Sequence, residues 1–145
     1  MRGWLLDTNV LSAVGSGRRP VPSDVVTWIR VRTEALHRST ISAAEIEAGI
    51  AKLRRAGSSR RADHLREWFD RILDDYADRV LPFDLAAARV AGALSDAAQA
   101  AGRHPGFADV AIAAIAKTRE LVVVILNQRH FDPLGVEAFN PFASN

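Results

Sequence analysis

Four short runs constrain this chain more than any other feature: "GWLL" at 3–6, "ALHRSTIS" at 35–42, "RVLPFD" at 79–84 and "LVVVIL" at 121–126. Each is strand-sized and bounded by turn or helix signals, and the clearest of them are apolar throughout instead of alternately polar. Strands of that kind belong in a parallel sheet covered on both faces, because an open face would demand polar residues at every second position. Helical stretches separate them, as parallel connections require. The expected fold is therefore α/β, a parallel sheet flanked by helices.

The connecting stretches fit this reading. "TNVLSAV" starts a short helix that gives way to the loop "GSGRRPVPS", whose glycines and prolines forbid regular structure. "SDVVTWIRVRT" predicts a helix with Ser23 as N-cap, and "SAAEIEAGIAKLRRAG" one that stops near Gly57. "SRRADHLREWFDRILDDYADR" carries Leu65, Trp68, Phe69, Ile72, Leu73 and Tyr76 on one stripe, which serves either the core or a protein interface. "LAAARVAGALSDAAQAAG" and "FADVAIAAIAKTRE" give two more helices, and the tail reads as loop with one short strand at 136–139.

At 145 residues and 48% hydrophobic, the chain can bury a core without staples, and a single domain over 1–145 is expected. It has no cysteine, which excludes disulfides and thiolate metal sites, and its four histidines are scattered. Any metal is then held by oxygen. The start "MRGWLLDTNV" is too short and too soon interrupted by Asp7 for a signal peptide, and no run spans a bilayer, so a cytoplasmic chain with no membrane role is expected. Net charge is only +2, but the basic residues are nearly all arginine, with doublets at Arg18/Arg19, Arg54/Arg55 and Arg60/Arg61. Those doublets read equally as solvated helix ends and as contacts to RNA phosphates or a partner protein.

The acids fall at telling places. Asp7 follows the first strand, Glu45 lies in the first turn of the helix after the second, Asp109 lies in the first turn of the helix before the fourth, and Asn127 follows that fourth strand. Ligands of open α/β sheets bind at the carboxyl ends of the strands, where the strand order reverses. Each acid also has a plainer use: Asp7 as a helix N-cap, "SAAE" as a capping box from Ser42 to Glu45, and Asp109 as a complement to a helix dipole. Capping explains any one of them, but not their gathering at one edge.

The blocks "LLDTNVLS", "STISAAEIEAGIAKLRRAG", "VLPFDLAAARVAGAL", "GRHPGFADVAIAAIAKTREL" and "NQRHFDPLGVEAFNPF" together resemble those of PIN-domain proteins, in particular VapC-type toxins of bacterial toxin–antitoxin pairs. The resemblance runs in order from residue 4 to near the C-terminus. It implies a PIN-like, Rossmann-like parallel sheet and a divalent-metal-dependent ribonuclease. The family's acids match Asp7, Glu45 and Asp109, its fourth position matches Asn127, and Thr8 and Asn9 match the polar pair after the first acid. Asp7, Glu45, Asp109 and Asn127 are then the expected ligands of Mg2+ or Mn2+. The resemblance further implies a homodimer, an RNA substrate and a cognate VapB-type antitoxin whose tail enters the acidic groove.

Phosphodiester hydrolysis suits such a set. Hard cations generate a nucleophile at neutral pH and offset charge on phosphate oxygens, and they prefer a few carboxylates with water and substrate oxygens. Many relatives carry Thr-Arg-Asn after the fourth strand, whereas this chain has "ILN" at 125–127. Ile125 therefore withholds a hydroxyl, and the alternative is a catalytically weakened PIN-like module that binds RNA or protein. A haloacid-dehalogenase-type phosphotransferase would need an acid where Asn9 stands. A receiver domain would need a lysine that "LNQRH" lacks, and "GSGRR" is not a phosphate loop.

Overall fold

The computed structural model describes residues 2–15, 17 and 19–143; Arg18 of the first arginine doublet, Ser16 of the loop beside it, and residues 1, 144 and 145 lie outside the described residues. In chain order the elements are β1 (Trp4–Leu6), α1 (Thr8–Gly15), α2 (Ser23–Val31), β2 (Leu36–Ser39), α3 (Thr40–Arg55), α4 (Ser59–Asp75), β3 (Val80–Leu81), α5 (Leu85–Ala100), α6 (Phe107–Thr118), β4 (Val122–Val124) and β5 (Ala138–Phe139). Among the described residues the strands form one sheet in the order β3-β2-β1-β4-β5, and every neighbouring pair is parallel.

Side chains alternate across a strand, so Leu5 and Leu6 feed opposite cores. Leu5, Val123 and Ile125 pack with α5 and α6 on one face, while Leu6, Val124 and Leu36 pack with α1, α3 and α4 on the other. Both faces are covered, which is why "VVV" of β4 contains no polar residue. The tail does more than the sequence predicts. Two 3-10 turns, Gln128–His130 and Asp132–Leu134, deliver Phe131 and Leu134 fully into the first core.

Four local expectations are corrected. The second strand stops at Ser39, not at 42, because Ser39 itself caps α3: its backbone is extended and its hydroxyl accepts the Ser42 amide at 3.1 Å. Ser42 is thus inside the helix, and Glu45 sits a turn further along instead of closing a capping box. Ser23 is not the cap of α2 either; Pro22 holds that place with no side-chain cap bond, its carbonyl accepting the amides of Val25 and Val26. On α4 the apolar stripe is core: Phe69 is buried, with Leu65, Trp68, Ile72 and Leu73 packed around it. Tyr76 falls off that stripe, since the helix ends at Asp75, and its ring lies 4.2 Å from the Arg38 guanidinium. The close approach of α1 to this helix requires a glycine, because a Cβ on Gly15 would fall 1.9 Å from Trp68 Cζ2.

No helix among the described residues is long and apolar enough to cross a membrane. The topology leaves one edge of the sheet for the site. β1 and β4 are neighbours, yet the chain departs from them in opposite directions across the sheet, so a crevice opens at their carboxyl ends. α6 must finish beside the start of β4, so it begins at that same edge.

Candidate active site

Asp7 is the first residue past β1. Its amide donates to the Val124 carbonyl at 2.9 Å, which extends the ladder by one residue, and its carbonyl accepts the Leu11 amide at 3.1 Å, which begins α1. The side chain at this joint is only 5% exposed. A buried carboxylate is disfavoured in its charged form, and the Asp7 carboxyl rises from 3.8 to about 6. Burial is the main cause and the negative charge of Asp109 the next; the amides of Thr8 and Asn9 pull the other way, and Glu45 pushes it up again. Capping and charge crowding therefore coexist in one residue.

Glu45 reaches the crevice from α3, and its position is held by hydroxyls. Thr8 Oγ1 donates to Glu45 Oε1 at 2.6 Å and lies 2.8 Å from Ser42 Oγ, while Ser39 Oγ donates to Ser42 Oγ at 3.4 Å. Because Thr8 has one proton and gives it to the carboxylate, Ser42 must be the donor to Thr8. The chain of bonds then runs in one direction, Ser39 to Ser42 to Thr8 to Glu45. Ser42 is completely buried, so its hydroxyl has no water to turn to.

Asp109 arrives from the first turn of α6. Burial raises its pKa, the His130 side chain lowers it and Glu45 raises it. His130 Nδ1 stands 3.6 Å from Asp109 Oδ2. Asp7, Glu45 and Asp109 thus share one electrostatic neighbourhood, as their sequence positions predict. Among the described residues no hydrogen bond joins Asn127 to them: it is exposed, and its Oδ1 accepts the Arg129 amide at 3.1 Å, starting the turn after β4. Among the described residues, no three His, Cys, Asp or Glu side chains converge closely enough to hold an ion as they stand.

In the sequence Ser42 reads only as a cap and His130 only as one scattered histidine. Ser42 lies three residues before Glu45, a spacing that shares a helix face, and that was the available signal. For His130 none existed, since its approach to Asp109 depends on the turn at 128–130. Ile125 is fully buried in the first core, with its amide donating to the Phe139 carbonyl at 2.9 Å. Of the arginine doublets, Arg54 pairs with Asp63 at 2.7 Å, and both Arg54 and Arg55 end α3, roughly 15 Å along the axis from Glu45.

The model of the family described as PIN domain matches residues 4–135. The chain belongs to the PIN-domain family. Three relatives resemble this PIN domain over nearly its whole length. The plasmid stability protein StbB of Pseudomonas syringae pv. tomato is 38% identical over 95% of this chain and 97% of its own. Toxin FitB of Neisseria gonorrhoeae is 34% identical over 95% and 97%. VapC ribonuclease Y4jK of Sinorhizobium fredii is 32% identical over 95% and 96%. The crystal structure of FitAcB from Neisseria gonorrhoeae superimposes with a TM-score of 0.81 at 34% identity, covering 96% of this chain and 98% of that one. The parallel sheet with flanking helices is thus that of known PIN domains.

Proposed function

We propose that this PIN domain is a metal-dependent endoribonuclease that serves as the toxin of a toxin–antitoxin pair. The observation that carries the reading is Asp7: a buried carboxyl at the topological switch point of the sheet, pushed up to about 6 with Asp109 and Glu45 against it. Such crowding has little use in a folded protein unless a cation offsets it. The donors are all oxygen, the type that Mg2+ and Mn2+ take, so the set fits these ions in chemistry.

Asp7, Glu45 and Asp109 would hold the ion, with Asn127 in a supporting place. Bound there, Mg2+ or Mn2+ supplies an activated water and charge stabilisation on the scissile phosphate. The chain's own residues do the positioning. Burial and the Thr8 and Asn9 amides fix Asp7, the serine–threonine chain of hydroxyls aims Glu45, and His130 restrains Asp109. The attacking oxygen joins phosphorus as the phosphorus–oxygen bond to the leaving sugar breaks.

The relatives named as a toxin and as a ribonuclease support this reading. By the same likeness we propose a VapB-type antitoxin partner, a homodimer and a cytoplasmic setting. The test is incubation of total cellular RNA with purified protein and Mn2+ or Mg2+, beside an EDTA control and Asp7→Asn. Discrete fragments that vanish in both controls are expected. A second reading, a weakened module that binds RNA or protein without cutting it, is favoured by the lack, among the described residues, of any ready convergence of three ligating side chains. Absence of both cleavage and metal binding in a folded wild type would select it.

A further inference from the structure

Phe107 opens α6 two residues before Asp109, and it is 68% exposed. The middle of that helix, from Val110 to Ala116, is buried. At that exposure most of the ring surface is open to water, where it can meet a ligand, and it contributes little to the core. It is not loose. Its ring meets Phe83 edge to face, with centroids 5.9 Å apart and planes at 85°. Phe83 is in turn tied to the site, because its amide donates to Thr40 Oγ1 at 3.0 Å, and Thr40 is the first residue of α3, five before Glu45.

We propose that Phe107, steadied by Phe83, is a stacking ledge for one unpaired nucleobase of the RNA, next to the phosphate that the acids address. An edge-to-face pair occupies at most one face of the Phe107 ring and leaves the other free. A nucleobase stacks on such a face whatever its identity, provided it is not already covered by neighbours in a duplex. Arg103, exposed in the segment leading into α6, gives the flanking phosphates a cation to lie against. The ledge therefore favours RNA that is single-stranded at the cut and positions it by a contact without base-edge readout. This rests on the ribonuclease reading above.

The experiment measures binding of a fluorescently labelled pool of random-sequence single-stranded RNA 12-mers by anisotropy, with Mg2+ present, and in an Asp7→Asn background so that the RNA survives. Adding Phe107→Ala is expected to weaken binding about 5- to 100-fold, adding Phe107→Trp to retain it, and a fully paired RNA duplex to bind equally to all three. Phe107→Leu separates stacking from plain apolar contact and should behave like the alanine variant. Full binding by Phe107→Ala or Phe107→Leu overturns the ledge, and leaves the exposed ring to an apolar side chain of a protein partner. If the Asp7→Asn protein with Phe107 intact binds no RNA, the ribonuclease reading fails first and the ledge with it. Thermal melts confirm that each variant is folded.

Discussion

Glu45 and Glu47 stand two residues apart on α3 and live in opposite electrostatic worlds. Glu47 faces α4, where Arg66 bonds it and also reaches Asp70 at 3.1 Å; the Arg66 bond lowers the Glu47 pKa. Glu45 faces the sheet edge, where it receives a neutral hydroxyl and raises the pKa of both Asp7 and Asp109. On the α3–α4 surface both of these negative charges pair with Arg66, and water screens what is left. At the sheet edge the carboxylates are packed together with one histidine nearby. Carboxylates with a cation on one side of the helix and carboxylates raising one another's pKa on the other make the sheet edge the candidate site.

The largest expected effect is on catalysis. Asp7→Asn should reduce RNA cleavage by more than about a hundredfold, above the usual loss from outer partners of a metal site, as read by fragment yield with Mn2+. Retained cleavage would mean that the crowded edge is not the active centre.

The same substitution sharpens the comparison through stability. With the Asp7 pKa raised from 3.8 to about 6, the unfolded chain ionises first as pH rises, so stability falls across that window and the full penalty persists above it. The gap of about two pH units corresponds to about 3 kcal/mol at pH 7. In EDTA, Asp7→Asn should therefore stabilise the protein by up to about 3 kcal/mol at pH 7.5 and by nothing near pH 3.5, measured by urea unfolding. Destabilisation at pH 7.5 would show that Asp7 has a compensating partner.

Ser42→Ala removes the buried donor that sets Thr8 toward Glu45. Cleavage should drop about 10- to 100-fold through kcat, with KM little changed, and stability by about 1 kcal/mol. A rise in KM alone would place the hydroxyls in substrate binding. Smallest of all, Glu47→Gln should shift stability by less than about 1 kcal/mol, less still in high salt, and leave cleavage intact. Loss of activity there would erase the contrast between the two faces of α3.

Much of this was legible in the residues. Apolar runs such as "LVVVIL", six residues long and rich in valine, read as strands covered on both faces, and acids placed after β1, after β2 and before β4 fall at one edge once the strands are parallel. Boundaries were harder. Ser39 and Ser42 are chemically equal candidates for a cap, and the choice between them depends on where β2 stops pairing with β1 and β3. The role of the α4 stripe was open for the same kind of reason, since periodicity reports an apolar face without saying what covers it.

By itself the sequence determined the alternation of strand and helix, the absence of any thiolate ligand, and the placement of the acids after the first strand, in the helix after the second and in the helix before the fourth. These follow from local pattern and composition. Only the tertiary structure decided that Asp7 is buried and crowded, that Ser42 and Thr8 steer Glu45, that His130 meets Asp109, and that Phe107 stays in water. Each of those depends on residues from distant parts of the chain arriving at one sheet edge, and desolvation and charge coupling exist only after they have arrived.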